Sequence, residues 1–200
     1  IASHEKSKGN RRSLQGGAVA DTVTLRDHQY VRNKIFFLDE FYRVNLTDFR
    51  QVARRPEIAA EDFVDFSFLQ VFVNDFNTNN DQEKRSREGL AVVFEADSLA
   101  RAQNVAPGTP VFPTQIRDES GWIERGTWHQ LDPDNDYALL DGGGYISLRQ
   151  PIQDRHALAV SYRTAGGMQV GSAQGDTLRL KLVKARDARP EFPTWDLEWK

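Results

Sequence analysis

The chain has 200 residues, 39% hydrophobic and 28% charged, which is enough for one domain or two small ones around a modest core. Lys and Arg number 26 against 29 Asp and Glu, a net charge of −3, so no global basic field draws nucleic acid or anionic lipid. The absence of cysteine excludes disulfides, thiolate metal sites and a cysteine nucleophile; no apolar run approaches the roughly 20 residues of a membrane helix, which leaves only the weaker signature of membrane β-strands open.

Residues Ile1–Gly17 are polar, with Lys6, Lys8, Arg11 and Arg12 ahead of Gly16–Gly17. That composition predicts a tail or linker in preference to an RNA-binding arm, and leaves 18–200 as a single β-rich domain. The first residue is Ile and no signal peptide is read there, so the expectation is a processed product or a piece of something longer. "DTVTLR" then alternates like a strand. "RNKIFFLDEFYRVNLTDF" places Phe36, Phe37, Glu40 and Phe41 at near-helical spacing but reads equally as two short strands, and the strand-rich reading is taken.

Phe66, Phe68, Val71 and Val73 mark a β-rich run, "NDFNTNND" a turn, and "GLAVVFEA" a second strand. "DSLARAQN" predicts a short helix capped by Asp97 or Ser98. "VAPGTPVFPTQ" is an extended loop around its three prolines. From Tyr145 onward the period of two is clean. Ile146 and Leu148, then Leu158 and Val160, share apolar faces on either side of "PIQD", which predicts an antiparallel hairpin of Tyr145–Arg149 with Ala157–Arg163. Leu178, Leu180 and Leu182 line one face of a last strand. The fold class is therefore mostly β, an antiparallel β-sandwich or β-meander with at most one or two short helices.

Gly142–Gly144 precede a strand, whereas phosphate loops sit between a strand and a helix, so these glycines are read as a turn or bulge. Asp132, Asp134 and Asp136 have the alternate spacing of a calcium loop, but Tyr137 stands where such a loop has Gly and Gly143 where it has Glu; a polar turn is preferred, with calcium the one cofactor kept open. Asp75, Asn77, Asn79 and Asp81 are read in the same way. His4, His28, His129 and His156 form no metal pair in sequence, and no serine sits in a nucleophile elbow. Trp122, Trp128, Trp195 and Trp199 offer a sugar platform if exposed and coplanar, and core or interface residues otherwise. "NLT" at 45–47 is a glycosylation sequon.

Gly144–Leu148, Leu158–Tyr162, Val170–Gly171, Leu178–Leu182 and Pro193–Lys200 resemble, in order and spacing, a recurrent segment of the SprA family. These are giant outer-membrane translocon proteins of the type nine secretion and gliding machinery. The chain departs from that pattern in its length and in Glu198–Trp199, where methionines are expected. The resemblance implies a non-enzymatic structural domain of the cell envelope, placed at the outer membrane, in the periplasm or on the cell surface. Its partners would be other protein subunits or the remainder of a larger chain, with outer-membrane association and no nucleic acid, and Trp195 and Trp199 are the expected interface residues. The alternatives are a carbohydrate- or calcium-binding β-sandwich module and a hydrolase with dispersed carboxylates.

Overall fold

The alternating runs become strands in a computed structural model that describes residues 31–46, 58–80, 86–106, 108–140 and 144–199. All of them belong to one unit, Val31–Lys200. The expected tail over 1–17, its boundary and the strand over "DTVTLR" lie outside the described residues. In chain order the elements are β1 (Ile35–Phe37), α1 (Glu40–Leu46), β2 (Val64–Asn74), β3 (Arg87–Val92), α2 (Ala96–Gln103), β4 (Pro110–Val111) and β5 (Ile123–Gln130). Then come β6 (Tyr137–Leu140), β7 (Tyr145–Leu148), β8 (Ala157–Thr164), β9 (Gln169–Val170) and β10 (Leu178–Lys184). The mostly-β class and two short helices are as expected.

The architecture corrects the sandwich and the meander. One sheet runs β10-β3-β5-β2-β8, and β8 pairs back onto β10, closing a five-stranded barrel. β9 and β4 extend it beyond β8, and β1, β7 and β6 form a separate three-stranded sheet. A meander places sequential strands side by side, but β10 lies between antiparallel β8 and parallel β3, a strand from much earlier in the chain. The predicted hairpin is also corrected. β7 is flanked by β1 and β6, and β8 by β2 on one side and β10 and β9 on the other, so neither has an edge left for the other. Period two identifies which face is buried and leaves the hydrogen-bonding neighbour undetermined. The face assignment itself holds, since Ile146, Leu148, Leu158 and Val160 are all buried in one core.

Two cores result. Phe72, Ala91, Trp128, Ala159, Leu180 and Leu182, drawn from all five barrel strands, pack together as the barrel interior. A barrel this narrow has no lumen to spare, and alanines share its interior with the large residues. Trp128 fits because Gly89 faces it. A Cβ at 89 would lie 2.7 Å from the Leu178 Cβ and 3.0 Å from the Trp128 ring, whose Nε1–H donates to the Gly89 carbonyl at 3.3 Å. The second core lies on the outer wall, where Val71, Val73, Leu158 and Val160 meet Phe36 and Ile146 of the small sheet. β8 is therefore buried on both faces. The pairing of β2 with β8 is interrupted between Asp65 and Gln70, and there Phe66 and Phe68 turn outward, 42% and 44% exposed.

Gly89→Ala is expected to lower stability by about 1–3 kcal/mol through overpacking of the barrel, read as a shifted midpoint in urea unfolding; an unchanged midpoint would show that the Trp128–Leu178 contact is not tight.

Candidate functional site

The stretch Leu38-Asp39-Glu40 settles the ambiguity between helix and strand. Leu38 is fully buried and ends the extended segment, and Asp39 begins α1 as its N-cap. Its Oδ1 accepts the Phe41 N–H at 3.1 Å, and its main-chain carbonyl accepts the N–H groups of Tyr42 and Arg43. The same carboxylate caps a second helix. Oδ2 accepts the Ala96 N–H at 3.1 Å, the first residue of α2. This explains why neither Asp97 nor Ser98 is the cap: the N-cap position falls at Glu95, two residues before Asp97, and Ser98 Oγ donates to the Glu95 carboxylate instead. One negative charge thus meets the positive ends of two helices.

Opposite it, Lys181 projects outward from β10, between Leu180 and Leu182 of the barrel interior. Its Nζ lies 3.0 Å from Asp39 Oδ2, with side-chain exposures of 3% and 4%. Nζ also donates to the Phe94 carbonyl and sits 4.9 Å from the Phe94 ring centroid. A buried pair of this kind survives desolvation only when further hydrogen bonds support it, here that of Lys181 to the Phe94 carbonyl and those of the Phe41 and Ala96 N–H groups to Asp39. Around it, burial first and the Asp39 charge second push the Tyr42 phenol well up, and the Tyr162 phenol is raised for the same reasons; the Tyr42 hydroxyl donates to the Asp62 carbonyl at 2.6 Å.

Above the pair opens a groove of about 650 Å³. Val93, Leu99, Trp122, Pro193 and Leu197 give it apolar walls, Lys181 lies at its base, and the carboxylates of Glu40, Glu95 and Asp196 line it as well. Glu95 and Asp196 are exposed and Leu197 is buried, which places the acids at the rim. Arg43 bonds Glu40 through Nε at 2.7 Å. A second cavity, about 240 Å³, holds a grouping not visible in the sequence: His129 from β5, His156 just before β8, Asp75 and Asp136 all line it. Only the fold joins these four residues, because each comes from a different loop or strand.

The aspartates Asp132, Asp134 and Asp136 form a self-closed turn. Asp132 Oδ1 accepts the Asp134 N–H at 3.0 Å, Asp132 Oδ2 accepts the Asn135 amide at 2.8 Å, and Asp136 Oδ2 accepts the Asp132 N–H at 2.8 Å. The first two of these bonds, the Asn135 one foremost, hold the Asp132 carboxyl below its usual range. Among the described residues, no three His, Cys, Asp or Glu side chains are arranged to hold a metal ion. Gly144 accepts the Leu38 N–H through its carbonyl at the entry to β7.

None of the four tryptophans is exposed. Trp128 is in the barrel. Trp199 stacks on Phe37 at 5.3 Å between centroids and tilts against Tyr145 at 5.4 Å, and Trp195 is half-buried in a 3-10 turn. Asn45 of the sequon turns its amide back onto the Phe41 carbonyl at 2.7 Å. No protein-family model and no curated protein matches the chain.

A second lysine of β10 carries a pH prediction. Lys184 donates to the carbonyls of Asp154 and His156, both at 2.7 Å, and burial, opposed in part by Asp154 and Glu198, lowers its pKa from 10.5 to about 8. Between pH 8 and 10.5 the unfolded chain binds more protons than the folded one, so this group makes stability rise with pH. Tyr42 and Tyr162 act in the opposite sense above pH 10, where the unfolded chain ionises first. The unfolding free energy of the native chain minus that of Lys184→Met should therefore climb by about 2 kcal/mol from pH 8 to pH 10. A difference that stays flat in denaturant titrations across that range would contradict the buried, depressed lysine.

Proposed function

We propose that the chain is a non-enzymatic structural domain of an outer-membrane or cell-surface secretion or gliding assembly of the SprA kind, seated against other subunits or the remainder of a larger chain. The observation that carries this reading is where the family-like segments fall. They coincide with β7, β8, β9, β10 and the closing turn, and their apolar residues, such as Ile146, Leu158, Val170, Leu180 and Leu197, fill the two cores. What resembles the family is thus the scaffold. The departure at Glu198–Trp199 also has structural work here. Glu198 accepts the Asn33 N–H at 2.5 Å and bridges to Phe36, and Trp199 donates its N–H to the Ile35 carbonyl, so the closing segment runs beside β1. The outward Phe66 and Phe68 and the open groove supply apolar surface of the kind that assembly partners cover.

The test is made in the organism that carries the gene. In-frame deletion of the codons for residues 31–200 is expected to impair protein export to the cell surface, and an antibody to the domain should find it in the envelope fraction. Recovery in the soluble cytosol, or intact export after the deletion, would overturn the reading.

A further inference from the structure

We infer that the cavity between the turn ahead of β5 and the segment after β10 binds a phosphate group, either on a free small molecule or at the end of a lipid headgroup. It holds about 310 Å³, the small end of ligand pockets, which suits a head group and not a large substrate. Ser120 and Gly121 of the turn line it together with Arg186, Arg189 and Phe192 of the segment. The two sides are in tight contact. Gly121 is buried at φ 82°, and a Cβ there would lie 2.5 Å from the Phe192 ring. The Phe192 N–H donates to the Arg189 carbonyl at 2.9 Å, and the Arg186 N–H to Glu124 Oε1 at 3.0 Å. Asp187 takes the left-handed backbone, φ 48°, and past that turn Arg186 and Arg189 line the same cavity.

Unmet donors carry the inference. A guanidinium is all donor and has no acceptor. The exposed Arg189 side chain makes no hydrogen bond or ion pair among the described residues. Arg186 sits over the Phe76 ring, its Cζ 4.8 Å from the centroid, and a guanidinium stacked in this way keeps its edge N–H groups for a ligand. Its carboxylate contact, Nε to Asp187 Oδ2, is 3.5 Å long, and both side chains are more than half exposed. The Ser120 hydroxyl also has no partner among the described residues. Two carboxylates, Glu124 and Asp187, share the lining, and burial pushes the Glu124 carboxyl up. Both oppose an incoming anion, so the ligand must engage several donors at once. A phosphate dianion, with oxygens on every side, can engage both guanidiniums and the hydroxyl, whereas a flat carboxylate is satisfied by one fork.

The experiment titrates the full 200-residue chain at about pH 7.5, where phosphate is largely dianionic, with inorganic phosphate and separately with acetate at matched ionic strength. Amide and arginine side-chain NMR shifts should saturate with phosphate at Ser120, Gly121, Arg186 and Arg189, and phosphate should bind about tenfold more tightly than acetate. Arg189→Gln removes a side chain that holds no partner in the fold, and it should weaken phosphate binding about tenfold. Arg155→Gln makes the same change of charge at an exposed arginine outside the cavity and should leave the affinity within about twofold. Flotation with phosphatidylcholine vesicles, with and without phosphatidic acid, separates the two sources. Retention that needs phosphatidic acid and is lost in Arg189→Gln assigns the site to a headgroup; saturable phosphate binding without vesicle retention assigns it to a free phosphate compound. The absence of saturable shifts with phosphate, shifts centred elsewhere, equal affinity for acetate, or equal losses in Arg189→Gln and Arg155→Gln would overturn the inference.

Discussion

The Asp39 carboxylate, held by Lys181 in a nearly dry setting, fixes where four pieces of the chain meet. It ends the extended run of β1, caps α1, caps α2, and ties both helices to β10 of the barrel. Each contact is modest in isolation, since a helix cap is worth about 1 kcal/mol. Their concentration on one charge is what matters. Removing one partner of a buried pair strands the other in a low-dielectric interior, at a cost of about 3–5 kcal/mol. Lys181 of this pair also lines the groove between α2 and the closing Pro193–Leu197 segment.

The barrel makes that arrangement possible. β10 points Leu178, Leu180 and Leu182 inward, and the same pleat sends Lys181 and Val183 outward into the layer that carries the small sheet and helices. From Leu180 to Lys184 both faces of this strand are buried, which leaves no solvent side for a lysine. Lys181 and Lys184 therefore take carbonyls and carboxylates as partners, Lys181 at Asp39 and Phe94, Lys184 at Asp154 and His156. The same logic makes β8 apolar on both sides.

The sequence revealed faces more readily than neighbours. The strands at Ile146, Leu158 and Leu180 were legible because burial repeats every second residue in the chain itself. Closure of the barrel was not, because β3 and β10 pair only through a long-range parallel contact that leaves no local pattern. α1 was ambiguous for a local reason: a three-residue strand runs into a seven-residue helix, too short for either period to declare itself. The acidic turn at Asp132 looked like a calcium loop because turns and cation loops use the same residues at the same spacing; here the oxygens answer the loop's own amides. The groove and the two-histidine cavity draw on segments scattered from Glu40 to Leu197, and no reading along the chain brings these together.

The most direct test of this account is a double-mutant cycle on Asp39→Asn and Lys181→Met, followed by denaturant unfolding at neutral pH. Each single change should cost about 3–5 kcal/mol. The double variant should cost clearly less than the two together, with a coupling of about 2–3 kcal/mol. Losses that simply add, within about 0.5 kcal/mol, would show that the buried charges do not depend on each other and that something else fixes the helices to the barrel.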